Sequence, residues 1–221
     1  MRQNDPACNA AKSGYPNGMI SLFDGYDRFI RGYWQEHKDR YAELARDGQS
    51  PSTMVIACSD SRVSPELIFD AAPGEIFVVR NVSNLVPPYA PDTGNHGTSA
   101  ALEFAVTVLN VLRIVVLGHS QCGGIRALVR GPSAGDGDFI ASWMAIAKTA
   151  RARVCDAPDA PVEPYTPAAF DALCEQCARE SIRVSLSNLL SFPWIKSRVD
   201  DGTLKLAGLH FNVQSAALEV I

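Results

Sequence analysis

Two cysteines and a histidine occupy the positions from which chemistry is most easily built. Cys58 closes the apolar run Met54-Val55-Ile56-Ala57; His119 follows a second run, Ile114-Val115-Val116-Leu117, by one glycine, and Cys122 comes three residues later. Two thiolates and an imidazole suit Zn²⁺, and three protein ligands leave a fourth tetrahedral position for water, the pattern of a catalytic rather than a closed structural zinc site. Other uses of the same residues stay open. Either cysteine can act as a nucleophile with His119 as base, and buried cysteines are often inert. Cys174-x-x-Cys177 can be drawn into a four-ligand structural site, although no second such pair stands opposite it. Asp60 lies two residues beyond Cys58, close enough to touch a metal there or its water, and Arg62 is a permanent bidentate partner for a carboxylate. The plainer reading of that pair is a structural ion pair at a strand end. Gly123 and Gly124 open a helical pattern, where backbone N–H groups approach a small anion and the helix N-terminus favours thiolate over thiol.

These residues need a scaffold that brings two strand ends together. The runs at 54–57, 76–79 and 114–117 are short, apolar and bounded by turn signals such as Pro73-Gly74, as in strands buried on both faces. Between the second and third, His96 to Leu112 reads as a helix. Strands alternating with helices predict an α/β fold with a central, mostly parallel β-sheet flanked by helices, a long N-terminal helical arm and a C-terminal helical region. In such sheets, sites form outside the carboxyl ends of strands, which is where Cys58, His119 and Cys122 fall. Further helices are expected at Phe139–Val154 and Pro167–Leu190, joined by a Pro-rich loop from Ala157 to Pro167. Leu204 to Val213 alternates as an edge strand or hairpin. Leu22, Phe23, Tyr26, Phe29, Ile30, Tyr33 and Trp34 make an apolar face of helical period, expected to pack on the chain's own core or across a dimer. Residues 1–20 read as a polar arm and 21–221 as a single α/β domain.

Composition narrows the function. In 221 residues the formal net charge is -4 and no basic block is present, so nucleic acid is not expected as a partner. No apolar run nears the ~20 residues of a membrane-spanning helix, so no membrane partner is expected. The polar N-terminus lacks an apolar signal core, and the expected compartment is the cytoplasm, where six cysteines read as metal-binding or catalytic rather than disulfide-forming.

Around the three candidate ligands, Cys58-Ser59-Asp60-Ser61-Arg62 and His119-Ser120-Gln121-Cys122-Gly123-Gly124 together resemble the β-class carbonic anhydrases. The similarity runs on through Asn81-Val82-Ser83-Asn84-Leu85-Val86, Ala101-Leu102-Glu103-Phe104, Asp138-Phe139-Ile140 and Ser185-Leu186-Ser187-Asn188-Leu189-Leu190. The resemblance implies a lyase that binds one Zn²⁺ per chain through Cys58, His119 and Cys122. It implies reversible hydration of carbon dioxide to bicarbonate and a proton by zinc-bound hydroxide, oriented by the catalytic dyad Asp60 and Arg62. It places Gln49 as an amide donor to the substrate, Phe77, Val82 and Phe104 as pocket walls and Gly123 beside the substrate. It also implies a homodimer or higher even-numbered homo-oligomer, with pocket residues from both chains. Two departures matter. Phe104 stands where tyrosine is common in the family, and Val55 stands where the bicarbonate-inhibited subclass has tryptophan, which points to the open-site subclass with water as fourth zinc ligand. Hydrolysis of carbonyl sulfide or carbon disulfide on the same scaffold is the alternative activity, and a non-catalytic zinc-stabilised scaffold protein the alternative outside enzymes.

Overall fold

Apolar runs with no polar alternation must be covered on both faces, and the three strand candidates become the middle of a sheet. A computed structural model describes residues 20–131, 138–155 and 166–221; the polar arm and most of the Pro-rich loop lie outside the described residues. The chain divides into two compact units, up to Gly48 and from Gln49 onward.

The first unit contains helices α1 (Ile20–Arg31) and α2 (Tyr33–Asp47). One helix was expected across this aromatic stretch. It breaks at Gly32, and α2 ends at Gly48, whose φ of 81° lies in the left-handed region that glycine adopts without steric cost. The rings of Phe29, Trp34 and Tyr41 pack on one another, with centroids 4.8 to 6.4 Å apart. No residue of α2 is fully buried.

In the second unit, β1 (Thr53–Cys58), β2 (Ile76–Asn81), β3 (Arg113–His119), β4 (Lys205–Phe211) and β5 (Leu218–Val220) form a sheet in the order β2-β1-β3-β4-β5. The first four run parallel, and β5 returns antiparallel on β4. The segment Leu204–Val213, expected as an edge strand or hairpin, is instead the single interior strand β4, with β5 beyond it at the edge. Period-two alternation splits the sheet's side chains. Met54, Ile56, Ile114 and Val116 point to one core, shared with Leu102, Ile182 and Phe192. Val55, Ala57 and Leu117 point to the other, with Val63.

The helices are α3 (Pro65–Ile68), α4 (Gly97–Glu103), α5 (Gly123–Arg130), α6 (Ile140–Met144), α7 (Lys148–Val154), α8 (Pro167–Leu189) and α9 (Pro193–Asp200). The helix expected over 96–112 is α4 plus a widened turn at Phe104–Val108, and it stops before Asn110, whose φ is 53°. The helix expected over 139–154 is interrupted by a 3₁₀ turn at Ala145–Ala147. The chain leaves β1 toward β2 on one side and returns as β3 on the other, so a crevice opens at the carboxyl ends of β1 and β3.

Candidate metal centre

Strand pairing delivers the ligands. Ala57 lies opposite Leu117, so Cys58 and His119 leave adjacent strands at nearly the same level, and Cys122 follows as the N-cap of α5. All three side chains are buried, and their ligand atoms lie within 4.8 Å of one another. The two sulfurs are 3.9 Å apart. Tetrahedral zinc with Zn–S bonds of ~2.3 Å sets its sulfurs roughly 3.8 Å apart, so the spacing suits the metal.

The histidine fits as well. His119 Nδ1 sits 2.8 Å from the Ser120 carbonyl oxygen, to which only a protonated nitrogen can donate. That assigns the lone pair to Nε2, which is buried with no hydrogen-bond partner. A buried polar atom without a partner is costly, and a metal between it and the two sulfurs would satisfy it. Cys122 supplies the thiolate most readily. Its pKa is lowered, first by the Cys58 thiol, against burial, and further by the Ser83 hydroxyl and the Ile125 N–H. Cys58, the donor of that pair and itself buried, is held protonated well above its ordinary value.

Asp60 and Arg62 form a fork at the rim. Arg62 Nε donates to Asp60 Oδ1 at 2.9 Å and Nη2 to Oδ2 at 2.7 Å, while the Arg62 backbone N–H adds a third bond to Oδ1 at 3.0 Å. The guanidinium holds the carboxyl well below the usual carboxylate range. Arg62 Nη2 also donates to the Gln121 carbonyl at 3.2 Å. Sequence reasoning missed Arg80 of β2, which donates to the Cys58 carbonyl at 2.9 Å and the Asp60 carbonyl at 2.7 Å and so clamps the turn that carries the dyad. An arginine ending a strand carried no signal for that role.

Behind Cys122, Ser83 Oγ lies 3.3 Å from its sulfur. Ser83 and Asn84 have φ of 65° and 49°, a left-handed turn that aims the hydroxyl inward. The glycine pair divides its work. A Cβ on Gly123 would meet nothing within 4 Å, whereas one on Gly124 would overlap Ser83 Oγ and press on Val82 and Met144. Gly124→Ala is therefore expected to push Ser83 off the sulfur and to destabilise the fold by about 1–3 kcal/mol, measurable as a lower urea midpoint; Gly123→Ala leaves the midpoint unchanged.

Cys174 and Cys177 stay apart from this centre. Both are buried in α8, where desolvation raises their thiols to about 11 and about 12. Among the described residues the only such metal-competent group is Cys58, His119 and Cys122.

Residues 53–218 match the family profile described as carbonic anhydrase. Beta carbonic anhydrase 5, chloroplastic, of Arabidopsis thaliana is 42% identical over 82% of this chain. The chain belongs to the β-carbonic anhydrase family. Its match spans 57% of that plant relative's length. The β-carbonic anhydrase CcaA superposes with a TM-score of 0.81 at 31% identity, covering 93% of this chain and 88% of that one. A structure from the ascomycete Sordaria macrospora, described as tetrameric, gives 0.77 at 25% identity, covering 93% and 98%. The expected cytoplasmic location is corrected here, because a β-carbonic anhydrase this similar is named as chloroplastic.

The pocket residues implied by the β-carbonic anhydrase resemblance fall into two groups. Val82 lies beside the centre, its Cγ1 close to Gly124, and Gly123 follows Cys122 directly. Gln49, Phe77 and Phe104 sit elsewhere. Gln49 precedes the amino end of β1, and six strand residues at ~3.3 Å each put roughly 16 Å between Thr53 and Cys58. Phe77 pairs with Met54, four positions from Cys58, and the Phe104 ring rests 5.9 Å from that of Phe77. A cavity of about 710 Å³ at the carboxyl end of β2 is lined by Asn81, Val82, Thr98, Phe139 and Trp143.

Proposed function

We propose that this chain reversibly hydrates carbon dioxide to bicarbonate and a proton, with zinc held by Cys58, His119 and Cys122 and with Asp60 and Arg62 as the catalytic dyad. The observation that carries this reading is an ionised carboxylate, fixed by a guanidinium fork, two residues from a three-ligand cluster. Zinc bound there supplies a Lewis acid that lowers the pKa of water enough for hydroxide to exist near neutral pH. Asp60 supplies orientation. Arg62 uses both lone-pair sites of Oδ1 and one of Oδ2, so the remaining site on Oδ2 accepts a hydrogen bond from the nucleophile's O–H and leaves the oxygen lone pair aimed at the carbon. A new C–O bond forms as one C=O π pair moves onto oxygen, and the proton lost by water passes to solvent. The first N–H groups of α5, beginning at Gly123, have no intrahelical partners and suit the product's negative oxygen. Val82 and the apolar cavity beside it suit a substrate with little polarity.

Engagement of Asp60 with Arg62 supports the open-site subclass, since a carboxylate so held is not free to become a fourth ligand. Purified protein is expected to carry one zinc per chain and to hydrate carbon dioxide in a stopped-flow assay. Full zinc without hydration would overturn the activity, and carbonyl sulfide turnover in its place would select the alternative.

We also propose a homo-oligomer of even number. The distance of Gln49, Phe77 and Phe104 from their own Cys58 supports a pocket completed by a second copy, and the Sordaria macrospora relative described as tetrameric agrees with it. Phe29→Glu combined with Trp34→Glu places two charges on the aromatic face of α1 and α2, where burial against a partner would leave them unpaired. Sedimentation is expected to show a smaller species; an unchanged one would mean that this face does not hold the assembly.

A further inference from the structure

Between the two ligands of β3's end stands a residue in an unfavourable backbone conformation. Gln121 has φ of 56° although it is not glycine, a state that costs on the order of 1–3 kcal/mol unless its surroundings enforce it. Both of its backbone polar groups are engaged. Its N–H donates to Glu175 Oε1 at 3.1 Å, and its carbonyl accepts from Arg62 Nη2 at 3.2 Å. The Gln121 side-chain oxygen adds a longer contact to Arg62 Nη1 at 3.5 Å. Gln121 thus joins a carboxylate on α8 to the guanidinium that holds Asp60.

Glu175 is itself fixed from the other side. Its Oε2 lies 3.5 Å from Arg179 Nη1, one helical turn along α8, and Arg179 reaches on to Glu219 of β5 at 2.9 Å. The same oxygen is 3.5 Å from Nε2 of His210 on β4, a ring that is 1% exposed and whose Nε2 has no hydrogen-bond partner. Two elements that carry none of the metal ligands, α8 and β4, therefore meet at one carboxylate, and β5 joins them through Arg179.

We propose that Glu175 is a positioning residue for the reaction: through the Gln121 peptide it holds Arg62, and so Asp60, in the orientation the chemistry uses. The inference rests on the proposed function only for its kinetic readout. A carboxylate is the fitting group, because an ionised acceptor makes a stronger bond to an N–H than a neutral one and can anchor a strained turn. Glu175 reaches the reacting atoms only through three intervening residues, Gln121, Arg62 and Asp60.

The test uses the full-length zinc protein and three variants: Glu175→Ala, Glu175→Gln and Glu175→Ala with Arg62→Ala. Glu175→Ala is expected to keep one zinc per chain and to lower kcat about tenfold with KM little changed, the size of effect known for outer partners of a metal site. Glu175→Gln still offers a carbonyl oxygen to Gln121 and recovers most of the rate. In the Arg62→Ala background the second change has no further effect, since both act along one path. A readout independent of turnover is the side-chain Nε–H resonance of Arg62 in ¹H–¹⁵N spectra, expected to shift or broaden in Glu175→Ala and to return in Glu175→Gln. An unmoved Arg62 resonance, or additive losses in the double variant, would overturn the positioning role. A wild-type protein that fails to hydrate carbon dioxide would overturn the function instead, and the resonance would still decide the role of Glu175.

Discussion

Cys58→Ser, His119→Ala and Cys122→Ser are each expected to strip the protein of zinc and of activity together. A three-ligand centre has no spare member, and the remaining two donors cannot compensate. Serine is a harder and far less acidic donor than cysteine, so each Cys→Ser change removes a thiolate as well as a sulfur. Partners one shell outside a metal already alter affinity ~10–100-fold, and loss of a direct ligand exceeds that. Metal analysis after dialysis, with circular dichroism as the control for folding, checks it. A folded variant that keeps full zinc would remove its residue from the ligand set.

Arg62→Ala has the second largest expected effect, and it acts without taking the metal. The substitution removes both prongs of the fork, leaving Asp60 with only the backbone N–H of residue 62. Freed from that restraint, the carboxylate is able to rotate toward the metal position and close it to water. Zinc content is expected to remain at one per chain while kcat falls on the order of 10²–10³-fold, the size of effect seen when a fixed electrostatic or hydrogen-bonding group is lost from an active site. Lysine restores charge without the planar two-point grip, so Arg62→Lys should recover little. Full rate in Arg62→Ala would remove the dyad from the mechanism.

Much of this centre could be read from the sequence, and the reason is specific. Cys58, Asp60, Arg62, His119 and Cys122 lie within two short segments, each attached to an unbroken apolar run that can only be an interior strand. Local pattern therefore placed both the strands and the residues at their ends. What local pattern does not carry is convergence from afar. Glu175 lies mid-helix in α8 and His210 mid-strand in β4, more than 50 residues from the segments they support, and nothing near either marks the partner. The helix breaks failed for a related reason. Gly32 offered a warning, but the 3₁₀ turn at Ala145–Ala147 lies in sequence with good helix propensity, and the burial of Met144, Ala147 and Ala150 around it is not marked by local pattern. Gln49, Phe77 and Phe104 show the limit most clearly, since they are assigned by resemblance alone and nothing in their local sequence sets their distance from Cys58.

The metal centre ties together parts of the chain that are remote in sequence: Cys58 and Cys122 are 64 positions apart and leave neighbouring strands. A disordered chain does not hold them within reach of one ion, so the unfolded form competes poorly for it. Such a tie differs from a covalent cross-link, whose contribution is constant once formed. It dissolves when the strands part, and its contribution follows mass action, rising by about 1.4 kcal/mol for each tenfold increase in free zinc above saturation. The durability of this fold is thereby set in part by its surroundings, and the resistance of β1 and β3 to separation becomes a gauge of how much zinc the surrounding solution makes available.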